Sequence, residues 1–169
     1  MKKGRNIVLI GMSGAGKSTL GVLLAKALGM DFVDTDIVIQ QQEGRLLQEI
    51  IELDGIEAFM EVEERIVSGL QLENCLISTG GSVVYSDKAM KVLRQSGRII
   101  YLHVSYEEIE RRVTNITTRG IVMRAGNSLK DVYEERIPLY MTYSDCTVDC
   151  TSKEIEHCVK EIISNLSTP

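Results

Sequence analysis

Residues 6–19 read NIVLIGMSGAGKST. The first five form a short apolar run, and Gly11 to Ser18 then match the pattern GxxxxGK[ST] in full. Apolar residues at helical spacing follow between Lys17 and Leu28, and Gly29 ends the predicted helix. A strand, a glycine loop and a helix in this order are typical of a phosphate-binding loop, or P-loop.

The loop predicts how a nucleoside triphosphate is held. Its glycines leave backbone N–H groups free to surround the phosphates, and the helix N-terminus adds positive potential for an anion. The Lys17 ammonium reaches the β- and γ-phosphates, and the Ser18 hydroxyl is placed to bind Mg²⁺. The predicted nucleotide-binding residues of the loop are Gly14, Ala15, Gly16, Lys17, Ser18 and Thr19.

Further strands and helices alternate along the chain, which indicates an α/β fold with a parallel sheet covered by helices on both faces. We expect a three-layer P-loop NTPase fold of about five strands, similar to the nucleoside monophosphate kinases. One helix is predicted from Leu46 to about Leu72 with a break near Asp54-Gly55, and the last from Ser152 to Leu166. The other predicted strands are Phe32–Asp34, Cys75–Ser78, Arg98–His103 and Cys146–Asp149.

Length and composition restrict the classes of protein. A chain of 169 residues, 44% hydrophobic and 25% charged, predicts one globular domain spanning 1–169. Its apolar runs are too short to cross a membrane, and no export signal precedes the first strand. A net charge of −5 gives no electrostatic footprint for nucleic acid. We therefore expect a cytoplasmic monomer that binds small molecules, with neither a nucleic acid nor a membrane as partner.

Four cysteines raise the question of disulfides or a metal site. None belongs to a CxxC pair, so reduced thiols are expected. Cys146, Cys150, His157 and Cys158 are close in sequence, but a strand followed by a helix is expected to scatter their side chains.

Two segments carry candidate site residues of their own. Asp34-Thr-Asp36 lies at the end of the second strand, where open α/β sheets bind ligands. One carboxylate can bind Mg²⁺ while the other accepts a hydroxyl proton. Alternatively, the motif only caps the next helix. If the chain stays extended there, alternation places Asp34 and Asp36 on one side. The polar stretch 114–128 is either a mobile lid over phosphates or a plain surface connection.

Several motifs in order complete the pattern: GMSGAGKST, FVDTD, DGIEAFMEVEE, STGGS, TTRG and YEERIPLY. In this order and spacing the chain resembles the shikimate kinase family from end to end. The resemblance implies ATP-dependent phosphorylation of a small hydroxylated acid, with ATP and Mg²⁺ as cofactors. A GTPase is disfavoured independently, because the motif NKxD is absent.

The resemblance also implies site roles, residue by residue. Asp34 would hold magnesium with Ser18, and Asp36 would bind and activate the acceptor hydroxyl. Lys17 and Arg119 would stabilise the transferring phosphoryl group. Gly80 and Gly81 would contact the acceptor and Arg136 its carboxylate, within a substrate-binding helical segment of about 36–70. Arg112 would stack on adenine, and Lys153 is the candidate replacement for the family's adenine-loop arginine.

The acceptor side departs from the family pattern. Phe59-Met60 stands where the family has Phe-Arg, the arginine being half of a carboxylate clamp, and Ser82 replaces a third glycine. The sequence therefore leaves four interpretations open: a shikimate kinase, a related kinase for another acceptor of the gluconate or nucleoside type, a nucleotide-binding module without catalysis, and a hydrolytic ATPase.

Overall fold

The computed structural model describes residues 5–114 and 121–167, and five strands within them form one parallel sheet. The predicted α/β fold is confirmed, and the predicted strands agree with the observed ones to within one residue at each end. The strands are β1 (Asn6–Ile10), β2 (Asp31–Asp34), β3 (Cys75–Ser78), β4 (Gly97–His103) and β5 (Cys146–Asp149). Their order across the sheet is β2-β3-β1-β4-β5.

Both faces of the sheet are covered. Ile7, Val8, Leu9 and Ile10 of β1 are all at most 2% exposed. Because successive side chains of a strand point to opposite faces, burial of every position requires packing on both sides. This explains why residues 7–10 of β1 are apolar throughout rather than alternating.

Eight helices occur in the described parts of the chain, and none has both the length and the apolar character to cross a membrane. The predicted break in the long helical segment lies at Gly55, whose φ of +90° favours glycine. The helices are α1 (Lys17–Leu28), α2 (Thr35–Glu43), α3 (Leu47–Asp54), α4 (Ile56–Ser68), α5 (Asp87–Ser96), α6 (Tyr106–Thr114), α7 (Leu129–Tyr143) and α8 (Ile155–Ser167).

The start of α8 differs from the prediction of a helix from Ser152. Ser152 has a φ of +53°, and its N–H donates to Glu108 Oε2 at 2.6 Å. A left-handed residue cannot begin an α-helix, so the helix starts three residues later.

A second apolar cluster lies beside the main core. Ile39 of α2, Ile50 of α3, and Phe59 and Ile66 of α4 pack together with Val122, which follows α6. The cluster joins three helices into a wall next to the carboxyl ends of β1, β2 and β3. That wall positions the acceptor side of the site.

Candidate active site

The P-loop closes on itself around the Lys17 side chain. Its Nζ donates to the carbonyl oxygens of Gly11 at 2.7 Å and Met12 at 2.8 Å. Gly14 and Gly16 have φ values of +86° and +92°, which the turn from β1 into α1 requires. The ammonium and the N-terminus of α1 therefore lie at one end of the sheet, where an anion is stabilised.

Oxygen atoms from three elements meet beside the loop. Ser18 Oγ donates to Asp34 Oδ2 at 2.6 Å and lies 3.4 Å from Ser78 Oγ. Hydroxyl and carboxylate oxygens are the ligands that Mg²⁺ prefers. The set fits the predicted magnesium site, in which Ser18 and Asp34 would be the protein ligands.

The chain does not stay extended through Asp34-Thr-Asp36. It turns into α2 at Thr35, and Asp34 caps the helix by accepting from the Asp36 N–H at 3.0 Å. The two carboxylates are therefore not placed by strand alternation. Both nevertheless line one cavity, so capping and site roles are compatible.

This cavity, named here the acceptor cavity, has a volume of about 460 Å³ and opens next to the P-loop. One wall is apolar and includes Ile37, Leu47, Phe59 and Val122. Among the predicted site residues, it is lined by Lys17, Ser18, Asp34, Asp36, Gly80, Gly81 and Arg136.

The Arg136 guanidinium lies at the bottom of the acceptor cavity and is fully buried. Its Nε donates to Tyr85 Oη at 3.2 Å and its Nη2 to the Val122 carbonyl at 2.7 Å. Among the described residues, Nη1 has no hydrogen-bond partner. Because a buried unpaired donor costs free energy, this nitrogen is poised for a ligand anion.

Gly80 and Gly81 allow charged groups to approach the chain closely. A Cβ at Gly81 would lie 3.0 Å from Arg136 Nη1, and one at Gly80 would clash with Glu63 Oε1 and lie 2.9 Å from Asp36 Oδ1. Any side chain here would displace the groups that face the acceptor cavity.

The sequence prediction missed Glu63, although its position on α4 gave a signal. Glu63 shares the buried face of α4 with Phe59, Ile66 and Val67, where the helical spacing requires an apolar residue. It is 2% exposed, and burial raises the pKa of its carboxyl to about 7. Ser82 Oγ donates to its Oε2 at 2.6 Å. The prediction also missed Ser13, which lines the acceptor cavity.

A smaller cavity of about 110 Å³ lies on the other side of the P-loop and is named here the nucleotide cavity. The predicted residues Ala15, Gly16, Thr19, Arg112 and Lys153 line it. Cys150 and Cys158 line it too, so the prediction that these side chains are scattered is wrong for this pair.

Arg112 is anchored against the loop. Its Nη1 donates to the Gly14 carbonyl at 3.0 Å, and the guanidinium pairs with Glu108. Burial of the Glu108 carboxyl disfavours its charged form, but the Ser152 N–H and Arg112 outweigh burial and hold the pKa of Glu108 below its ordinary value. Lys153 Nζ instead pairs with Glu161 at 2.7 Å.

Arg119 and residues 115–120 of the proposed lid 114–128 lie outside the described residues. Met60 does not line the acceptor cavity; it packs beside the second apolar cluster and faces a neighbouring cavity with Tyr85 and Arg124.

Comparisons with known proteins agree on one family. A family model described as shikimate kinase matches residues 13–167. A shikimate kinase of Haemophilus influenzae is 36% identical over 167 residues, covering 96% of this chain and 93% of the relative. The shikimate kinase of Acinetobacter baumannii, solved in complex with shikimate, superposes with a TM-score of 0.89 at 27% identity, covering 96% of this chain and 92% of the other. A gluconokinase of Sinorhizobium meliloti, at 20% identity and a TM-score of 0.51, shows likeness of fold alone.

Proposed function

The chain belongs to the shikimate kinase family and is thus a small-molecule kinase that uses ATP and Mg²⁺, and we propose that its acceptor is shikimate, phosphorylated at a ring hydroxyl to shikimate 3-phosphate. The observation that carries the proposal is Nη1 of the buried Arg136, which has no hydrogen-bond partner among the described residues; Arg136 lines the same cavity as Asp36 and Lys17. A guanidinium, a carboxylate and a phosphate site around one cavity suit an acid that carries hydroxyl groups.

On the nucleotide side, the loop residues Gly14 to Thr19 bind the phosphates. Arg112 and Lys153 would contact adenine in the nucleotide cavity. Ser18 and Asp34 would hold Mg²⁺, which supplies positive charge to the phosphate oxygens. Lys17 contributes a fixed cation whose position is set by two loop carbonyls.

On the acceptor side, Arg136 would hold the carboxylate through its free Nη1. The ring would lie against the apolar wall that includes Phe59 and Val122. Gly80 and Gly81 leave room for the ring hydroxyls to approach the backbone. This orientation directs a hydroxyl toward Asp36 and the end of the P-loop.

Asp36 would then orient the hydroxyl and accept its proton as the oxygen attacks the γ-phosphorus. The bond to the β,γ-bridging oxygen breaks and ADP leaves. Lys17 stabilises the negative charge that develops on the transferred group. The same role for Arg119, and closure of a lid over 114–128, rest on the family resemblance.

Met60 is the observation that favours a second candidate, a family member acting on a different hydroxylated acid. Position 60 offers an apolar thioether rather than a second arginine for the carboxylate, and Met60 lines the neighbouring cavity rather than the acceptor cavity. Loss of one charge-assisted contact typically weakens binding by roughly tenfold or more. The acceptor would then be an acid for which Arg136 alone suffices.

Coupled ADP release with Mg-ATP tests the proposal. Reactions would contain shikimate, a panel of hydroxy acids and sugars, or no acceptor, and product masses would be checked. Shikimate-dependent ADP release with a phosphorylated product is the expected outcome. Release with another acceptor only would support the second candidate, and release without any acceptor would indicate a hydrolase. Lys17→Met serves as the inactive control.

We also propose that the protein works in the cytoplasm as a monomer, without nucleic acid or membrane partners. Its four cysteines are free, which suits a reducing compartment, and its net charge of −5 disfavours nucleic acid. Light scattering with and without Mg-ATP tests the monomeric state; a mass twice that of the chain would contradict it.

A further inference from the structure

Two buried polar atoms beside the acceptor cavity have no hydrogen-bond partner among the described residues, Glu63 Oε1 and Arg136 Nη1. The two groups flank the Gly80-Gly81 turn, because Glu63 lies against Gly80 and Arg136 against Gly81. An ionised carboxyl and a guanidinium this close are expected to pair. Instead, each keeps one atom unpaired.

The surroundings of Glu63 suit a neutral acid. The carboxyl is 2% exposed, has no ion pair within the described ranges, and receives one hydrogen bond, from Ser82 Oγ to Oε2 at 2.6 Å. A carboxylate taken out of water normally requires a cation or several donors. In a protonated carboxyl, the carbonyl oxygen accepts hydrogen bonds and the other oxygen carries the proton. Because Oε2 accepts from Ser82, we assign the proton to Oε1.

We propose that Glu63 is an uncharged carboxylic acid in the enzyme at mildly acidic pH, held by Ser82 beneath Gly80, and that its neutrality there keeps the Arg136 guanidinium available to an anionic acceptor. Glu63 is thus a positioning residue that acts through Arg136. The identity of the acceptor in this proposal rests on the proposed function. The protonation state of Glu63 rests only on the residues around it.

Several groups on different elements bear on the charge of Glu63. Asp36 of α2 disfavours ionisation, whereas Arg136 of α7, Lys17 of α1 and the Ser82 hydroxyl favour it, and desolvation outweighs them. Tyr140 of α7 is also near and stays neutral, because burial raises the pKa of its phenol. The charged residues of α3 and α5, which also pack against α4, are all exposed.

Ionisation of Glu63 at higher pH has two consequences for the acceptor. Its negative charge competes with the acceptor carboxylate for Arg136, and it repels that carboxylate directly. We therefore expect the shikimate KM to rise roughly fivefold or more between pH 6 and pH 8.5. The KM for Mg-ATP should not follow this profile, because the nucleotide cavity does not include Glu63.

Two variants at the site and two matched controls test this in the full-length enzyme. Glu63→Gln is neutral at every pH and should abolish the rise in shikimate KM. Ser82→Ala removes a donor that favours the charged form, so the rise should move to higher pH. Glu64→Gln and Ser86→Ala alter the neighbouring pair, in which Ser86 Oγ donates to Glu64 Oε2 at 2.6 Å, and should keep the wild-type profile.

A spectroscopic measurement separates this inference from the proposed function. The carbonyl stretch of a protonated carboxylic acid in the wild-type minus Glu63→Gln infrared difference spectrum should be present at pH 6 and lost at pH 8.5. If the stretch is absent at pH 6, or if Glu63→Gln keeps the rise in KM, the inference is wrong. If the stretch titrates but shikimate is not phosphorylated, Glu63 is neutral as inferred and the proposed acceptor is wrong.

Discussion

Arg136 Nη2 donates a hydrogen bond of 2.7 Å to the Val122 carbonyl oxygen, which joins α7 to the segment that follows α6. Tyr85 Oη accepts from Nε of the same guanidinium, and the Tyr85 ring lies 5.1 Å from its central carbon. These contacts fix two of the three nitrogens and leave Nη1 toward the acceptor cavity. The guanidinium is therefore oriented before an acceptor binds.

Arg136→Met is expected to raise the shikimate KM by roughly a hundredfold, because a charge-assisted contact inside a buried site is lost. The KM for ATP should change little. Arg136→Lys keeps the positive charge but lacks the planar guanidinium that binds a carboxylate through two nitrogens. Its shikimate KM should therefore lie between those of Arg136→Met and the wild type. Steady-state kinetics in both substrates, with thermal unfolding to confirm folding, measures this. An equal rise in both KM values would assign Arg136 a merely structural role.

Asp36→Asn is expected to lower kcat by roughly a hundredfold or more while the affinity for ATP is kept. The hydrogen bond from the residue-36 N–H to Asp34 does not involve the substituted side chain, so the helix cap persists. Single-turnover kinetics and calorimetric ATP binding measure the two quantities. A near-normal kcat would remove Asp36 from the mechanism.

The strands of the sheet, and most of the residues that line the two cavities of the candidate site, could be predicted from the sequence. Residues 7–10 are apolar because helices cover both faces of the sheet. Such short apolar runs make strands recognisable in the sequence. Lys17, Asp34 and Gly80 follow or end strands whose carboxyl ends meet at one edge, so a parallel topology brings them together. Arg112 and Lys153 were placed by resemblance, and they line the nucleotide cavity together.

Other features depend on contacts that no local pattern contains. The state of Glu63 results from burial by elements that are distant in sequence, and Ser82 is its one hydrogen-bond donor in the described parts of the chain. Met60 follows the cavity-lining Phe59 but lines a different cavity, and one step along a helix is enough for this. The late start of α8 depends on the left-handed Ser152 and its contact with Glu108.

Arg112→Ala is expected to raise the KM for ATP by roughly tenfold and to leave the shikimate KM unchanged. Arg112 donates to the Gly14 carbonyl and lines the nucleotide cavity. Its loss therefore removes a contact that holds the P-loop and a side chain that forms part of the nucleotide cavity. Arg111→Ala is the matched control, because the Arg111 side chain is 73% exposed. Equal effects of the two substitutions would show that only surface charge matters.

Met60→Arg is expected to lower the shikimate KM by roughly tenfold. Val122 lines both the acceptor cavity and the neighbouring cavity that Met60 lines, so the longer arginine side chain is expected to extend past Val122 and supply a second cation for the carboxylate beside Arg136. Residue 60 lies one helical turn from Glu63, so the new cation should also ionise Glu63 and reduce the pH dependence of KM. Met141→Arg, at a 63% exposed position of α7, makes the same charge change on the surface. If Met60→Arg raises the shikimate KM, the missing arginine is not what limits acceptor binding.

Glu63→Gln should alter how stability depends on pH, even without any substrate. In the unfolded chain the Glu63 carboxyl ionises near its ordinary pKa of 4.5, whereas burial raises the pKa in the folded state to about 7. Between these values the folded protein binds more protons than the unfolded chain, so the free energy of unfolding falls as the pH rises and levels off above 7.

The loss amounts to roughly 3 kcal/mol, at about 1.4 kcal/mol per pH unit. Glu63→Gln lacks it, so its stability relative to the wild type should increase by that amount from pH 4.5 to pH 7.5. Urea unfolding across this range measures the difference, with Glu64→Gln as the control because its carboxyl is half-buried and pairs with Lys88. A difference between Glu63→Gln and wild type that does not vary with pH would mean that folding does not raise the pKa of the Glu63 carboxyl.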